Sequence, residues 1–415
     1  MAVLRPFKAI RPRKDLASRV AELPYDVMSS EEARKIAKNN VYSFLHVDKA
    51  EIDLDENVDI YDKKVYEKAN ENLNKMISHN ILIQDGKNNF YIYRLTVNGK
   101  SQTGIVGCTS IDDYIDNKIK KHECTRKNKE QDRTNHIGIC NANTGPIFLT
   151  YRYNDEINDV VNMCIREKAV YDFTACDGVR HEVWVVDDDG IIEKICNLFK
   201  GIDTLYIADG HHRAASAVKV GIKRREENPN YSGDEEFNFF LSVLFPDSDL
   251  NIISYNRVVD DLNGFSTEEY LSEVSKRFYV ETCGGKDGYN PFCKGTYGMY
   301  LCGKWYKLTA KEGTYNSADP VDKLDVSILQ NNLLSPILGI DDPRTNSRIS
   351  FVGGIRGLGE LEQRAKKSRG GVAFSMYPTT LKELMNIADS GRVMPPKSTW
   401  FEPKLRSGLF IHKLK

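Results

Sequence analysis

The chain has 415 residues, 40% of them apolar and 28% charged, with a formal net charge of −1. That length exceeds one ordinary core and predicts two or three domains, while the near-neutral balance excludes a general attraction to nucleic acid or to an anionic membrane surface. No apolar run approaches the roughly 18 residues of a membrane span, and the opening "MAVLRPFKAIRPRKD" lacks the apolar centre of a signal peptide. The nine cysteines are odd in number and form no Cys-x-x-Cys pair, so they read as reduced thiols of a soluble cytoplasmic protein rather than a disulfide framework or a zinc site.

In chain order, Ser29 and Glu32 fit a capping box ahead of the apolar stripe Ala33, Ile36 and Ala37, which predicts a helix from Ser29 to about Asn40. A second helix is expected over 62–79. "NNFYIYRLTVNGKSQTGIVGCTSI" then reads as two strands turning at Asn98-Gly99. Residues 110–140 are charged and helical in pattern, 145–153 return to strand, and "HEVWVVDDDG" is a strand entering a turn whose aspartates lack calcium-loop spacing. Leu205 to Ala208 predict a short buried strand, followed by a helix that Gly221 can end, and 237–245 predict another buried strand. Residues 265–310 alternate helix with short strands, 321–340 are helical to about Pro336, and "RISFVGGIRGLGELEQRAKK" is a strand, glycine loop and helix. Without a regular βα rhythm the expected class is α+β, a mixed multi-domain architecture. The boundaries expected are 1–105, 106–230 with an insertion at 154–200, and 231–415.

Three segments carry candidate chemistry. "LYIADGHHRAASAV" runs an apolar strand into Asp209, Gly210, His211, His212 and Arg213 and at once into a helix, a junction that aims backbone N–H groups and the positive end of a helix dipole at one point. Arg213 adds a planar fork suited to phosphate oxygens; in the plainer alternative Asp209 caps, Gly210 turns and the histidines bond locally. Between Lys118 and Arg133 seven basic residues face three acidic ones, and within that segment Glu123, beside Lys121, His122 and Arg126, is placed where a carboxylate could act as a general base. "MPPKSTWFEPKLRSG" crowds Lys397, Ser398, Thr399, Lys404 and Arg406 beside rigid prolines. The glycine loop at 353–359 imitates a phosphate cradle but lacks the Gly-Lys-Ser/Thr ending of a P-loop and the spacing of a dinucleotide fingerprint.

Taken together, His122-Glu123 before a polar helix, then "GPIFLTY", then a strand into "DGHHR", resemble the ParB/sulfiredoxin-like fold as used by the free serine kinases. The chain from "PYDVMS" to "MPPKSTWFEPKLRSGL" is also similar to a broad bacterial and archaeal family long filed as a domain of unknown function. The resemblance implies phosphoryl transfer from ATP or ADP to free L-serine. It makes Glu123 the catalytic base and Asp209, Gly210, His211, His212 and Arg213 the loop that holds the nucleotide phosphates and Mg²⁺, with Asp209 as catalytic residue and metal ligand. Lys397, Ser398 and Thr399 then hold the serine. Partners implied are a nucleotide and a small-molecule acceptor, with no nucleic acid and no membrane. The alternatives are a ParB-like nucleotide-binding switch module, and a metal-dependent phosphatase or nuclease using Asp209, His211 and His212.

Overall fold

The computed structural model describes residues 2–284, 288–368 and 370–415. The chain divides into two compact α+β units, the first made of residues up to Lys121 with Thr125–Leu250 and Pro403–Lys415, the second of His122–Cys124 and Asn251–Glu402. The expected boundary at 105 falls inside the strand Lys100–Ser110, and the segment expected as an insertion, 154–200, supplies the sheet strands Tyr171–Thr174 and Arg180–Val186.

The first unit is organised on a nine-stranded mixed sheet whose spine is the hairpin Phe90–Val97 and Lys100–Ser110. Asn98 and Gly99 close it with φ of 51° and 73°, the left-handed pair that a tight two-residue turn demands and that Asn-Gly tolerates best. Phe239–Pro246 is buried at all eight positions, as a strand covered on both faces must be, and it pairs antiparallel with Lys100–Ser110 and parallel with Ile147–Tyr151. Next comes Leu205–Asp209, antiparallel to Ile147–Tyr151 and parallel to the edge strand Ile119–Lys120. Ala214, Ala217, Val218 and Val220 of the following helix, His211–Glu227, share one core with Leu149, Leu205, Ile207, Phe240 and Leu244.

That helix does not stop at Gly221. A Cβ there would lie 2.6 Å from the Phe237 carbonyl and 2.7 Å from Ile111 Cδ1, so the glycine permits close packing rather than an ending. The charged stretch 110–140 is likewise not one helix: Ile111–Ile115 is a short turn of helix, 121–126 form a loop, and the long helix begins at Lys127. The capping box at Ser29 and Glu32, and a helix over Lys63–Ser78, are present as expected.

The second unit carries a six-stranded antiparallel sheet, in the order Phe278–Thr282, Lys304–Ala310, Thr296–Leu301, Val372–Met376, Tyr255–Val259 and Ile349–Gly353. Of the alternating stretch expected over 265–310, residues 285–287 lie outside the described residues. The helix Gly357–Lys367 covers one face, burying Leu361 and Ala365 against Val258, Tyr300, Val352 and Ala373. Since side chains alternate along a strand, Tyr255 and Arg257 point to the other face, where Phe351, Phe374 and Met299 stand in register with Arg257. The glycine loop has a packing explanation: a Cβ on Gly353 would lie 2.8 Å from the Trp400 indole, and one on Gly354 would lie 2.4 Å from Ser254 Oγ.

Candidate functional site

In the first unit the strand Leu205–Asp209 delivers Asp209 to the start of the helix His211–Glu227. Gly210 is the residue between them, at φ 95°, a conformation that favours glycine, and no side chain caps the helix that follows. The first N–H groups of an α-helix have no intrahelical partner, so this end is electropositive by construction. Asp209 Oδ1 accepts the Gly210 N–H at 3.0 Å, while Oδ2 lies 3.1 Å from Lys404 Nζ and 3.8 Å from Arg213 Nη2. One carboxylate thus stands against two cations, Lys404 8% and Arg213 9% exposed.

Arg213 is held by Asp209 and by the Pro146 carbonyl. Its Nη1 donates to the Pro146 carbonyl at 2.6 Å, and the missing side chains of Gly210 and Gly145 leave it room, a Cβ at either falling 3.2 Å and 3.6 Å from its guanidinium. His212 Nε2 accepts the Arg126 N–H at 2.9 Å, tying the start of this helix to the loop before Lys127–Cys140. Behind Arg213 a small polar pocket is lined by Tyr25, Asp48, Arg133, His136 and Thr144. Arg133 lies 3.0 Å from Asp132 and stacks 4.0 Å above the Tyr25 ring. Burial works against its charge, but Asp132, the Tyr25 phenol and Asp48 more than offset that and hold its pKa above the usual arginine value. Burial also drives the Tyr25 phenol upward, so it stays protonated, and burial with the Arg133 charge keeps the His136 imidazole neutral by lowering its pKa.

The second unit holds the other sequence-predicted residues. Glu123 is half-buried and His122 almost fully buried at 1% exposure. The His122 carbonyl accepts the Met394 N–H at 2.8 Å and its Nε2 lies 3.4 Å from Thr399 Oγ1, so the short His-Glu segment is laced to the Pro-Lys-Ser-Thr segment. Lys397 sits in the left-handed region at φ 57°, uncommon for a residue with a Cβ, and its Nζ lies 5.7 Å from the centre of the Tyr255 ring. Ser398 turns inward: its hydroxyl donates to the Pro395 carbonyl at 2.6 Å and its own carbonyl accepts from Thr379 Oγ1 at 3.0 Å.

Lys404 was recognisable as one of several cations near the C-terminus, but nothing local tied it to Asp209, 195 residues away. Arg133 was one of seven basic residues between Lys118 and Arg133, and nothing local set Tyr25 or Asp48 apart. The Mg²⁺ expected on Asp209 meets a single carboxylate already shared with Lys404, a set that suits an anion better than a bare divalent cation.

These features define an α+β protein with a basic helix start, free of a side-chain cap, beside Asp209. By sequence the chain belongs to a family described as a protein of unknown function, DUF1015, whose model matches residues 4–327. No curated protein matches it. Among solved structures it is similar to C-terminally truncated SbnI from Staphylococcus aureus, with 11% identity and a TM-score of 0.40 over 74% of this chain and 86% of that one. A free serine kinase mutant in complex with AMP gives 13% identity and a TM-score of 0.37 over 74% and 91%. A conserved hypothetical protein from Pyrococcus furiosus gives 13% and 0.36 over 74% and 94%.

Proposed function

We propose that the protein is a nucleotide-dependent phosphotransferase of the cytoplasm, built around a ParB/sulfiredoxin-like core, that passes a phosphoryl group from ATP or ADP to the hydroxyl of free L-serine and yields O-phospho-L-serine. The observation that carries the proposal is the helix start at Gly210, where uncapped amide donors, Arg213 and Lys404 surround one carboxylate. Phosphoryl transfer asks the protein for alignment and charge neutralisation more than for covalent help. In this reading the amides after Gly210, with His211, His212 and Arg213, receive the phosphate oxygens. Mg²⁺, which the resemblance implies as charge neutraliser, is given no ligand here, because the one carboxylate at this helix start is already engaged by Lys404. Glu123 takes the hydroxyl proton as the serine oxygen forms its bond to phosphorus and the bond to the departing nucleotide breaks. Lys397 neutralises the serine carboxylate, and Ser398 and Thr399 supply polar contacts, Ser398 through the turn it fixes.

The test is direct: the protein with ATP or ADP, Mg²⁺ and a panel of amino acids, with product mass as the readout. O-phospho-L-serine formed in proportion to the protein supports the proposal. Inorganic phosphate released equally with and without an acceptor identifies a phosphatase instead, and nucleotide bound without any turnover identifies a nucleotide-gated binding module.

A further inference from the structure

Arg257 is the second unit's anomaly. It sits in the strand Tyr255–Val259, between Ile349–Gly353 and Val372–Met376, and is 2% exposed. A buried guanidinium ordinarily meets a carboxylate, because taking an unpaired charge out of water is costly. Among the described residues Arg257 has no ion pair. Nη1 donates to the Tyr255 carbonyl, the guanidinium carbon lies 5.3 Å from the centre of the Phe351 ring, and among the described residues neither Nε nor Nη2 has a hydrogen-bond partner. Burial pulls its pKa down to about 10, with Tyr255, Tyr297 and, least of all, Glu123 opposing. It remains charged at neutral pH.

The surroundings say what the idle fork faces. Tyr255, whose carbonyl Arg257 holds, carries Lys397 Nζ near its ring and the Trp400 indole edge-on, the ring centres 5.1 Å apart. Lys397 thus stands at the Tyr255 ring and Arg257 at the Tyr255 backbone carbonyl, and Glu123 is close enough to Arg257 to act on its charge. A planar two-donor fork fits a carboxylate or a phosphate, and the nearby negative charge of Glu123 repels a singly charged carboxylate less than a phosphate dianion.

We propose that Arg257 binds the carboxylate of the acceptor, which makes the substrate class a small hydroxyl-bearing carboxylate and sets acid against amide as the axis of selectivity. This rests on the phosphotransferase reading for the word acceptor, but not for the binding itself. Arg257 is then retained against its cost in stability, with Lys397 as the more exposed cation on the same group.

The experiment is calorimetric titration of L-serine and of L-serinamide, with and without ADP, into the unmodified protein, R257M and R257K. The unmodified protein is expected to prefer L-serine. R257M should bind L-serine at least about tenfold more weakly, the loss of charged hydrogen bonds, with little change for serinamide, and R257K should fall between. R257M should also melt at or above the temperature of the unmodified protein, since it removes an unpaired buried charge. Equal binding of L-serine by R257M, no preference for acid over amide in the unmodified protein, or no binding of L-serine at all overturns the proposal. So does a shift in the pH profile of turnover with acid-over-amide selectivity intact, which would make Arg257 a charge partner of Glu123 only. A protein that binds L-serine through Arg257 yet transfers no phosphoryl group would remove the phosphotransferase reading and leave this one standing.

Discussion

Arg133 and Arg257 are both buried guanidiniums, one in each unit, and their surroundings differ in kind. Arg133 lies against Asp132 with Asp48 and Tyr25 nearby, and although burial opposes its charge, that company raises its pKa. Arg257 has a backbone carbonyl and an aromatic ring, and its pKa falls. The contrast extends further. In the first unit Lys404 meets Asp209 and Arg406 meets Asp177, whereas in the second unit the Asp325 carboxylate, on a residue 7% exposed, accepts the Gly295 N–H at 2.7 Å and is pushed up to about 6 by burial, with Lys294 opposing. Compensated charge fixes a scaffold, because each partner satisfies the other within the fold. Uncompensated charge lowers stability and is left available for something else.

The contrast breaks or sharpens under substitution. The largest stability effect is expected from Arg133→Met, about 3–5 kcal/mol lost, because Asp132 is left buried without its partner. R257M should stay within about 1 kcal/mol of the unmodified protein or gain, since no buried counter-charge is abandoned. Denaturant unfolding of the two variants side by side decides, and equal losses would erase the distinction.

Glu123→Gln is expected to lower turnover at least about 100-fold, some 2.7 kcal/mol of transition-state stabilisation, while nucleotide affinity changes less than about threefold. Near-normal turnover by steady-state kinetics would remove Glu123 from the mechanism.

Asp325→Asn tests the second unit by pH. The folded pKa of Asp325 is raised, so its contribution is fully favourable below the unfolded value near 3.8 and is lost as pH rises through about 6. The variant should therefore be more stable than the unmodified protein by about 2–3 kcal/mol at pH 8 and indistinguishable below about pH 4. A difference that does not vary with pH would show that Asp325 is compensated after all.

Local physics was legible in the sequence. The Asn98-Gly99 hairpin, the Ser29 capping box and the strand-to-helix junction at Asp209 each depend on a few adjacent residues, and each is present. Packing at a distance was not. Gly221 reads as a helix end, and only the approach of Phe237 and Ile111 explains why a glycine lies inside the helix. Asp209 reads as a cap or a metal ligand, while its Lys404 partner arrives from the far end of the chain. Arg257 stands in a strand where alternation permits a polar residue facing water, and only pairing on both sides shows that this one is buried.

The central claim, that the helix start at Gly210 receives nucleotide phosphates, is tested most directly by titrating ADP into the unmodified protein, Arg213→Ala and Lys404→Met. Affinity should fall by more than about tenfold in each variant, and the binding of the unmodified protein should weaken as salt is raised. Unchanged ADP affinity in folded variants would contradict the account and leave Asp209, Lys404 and Arg213 as a structural clasp.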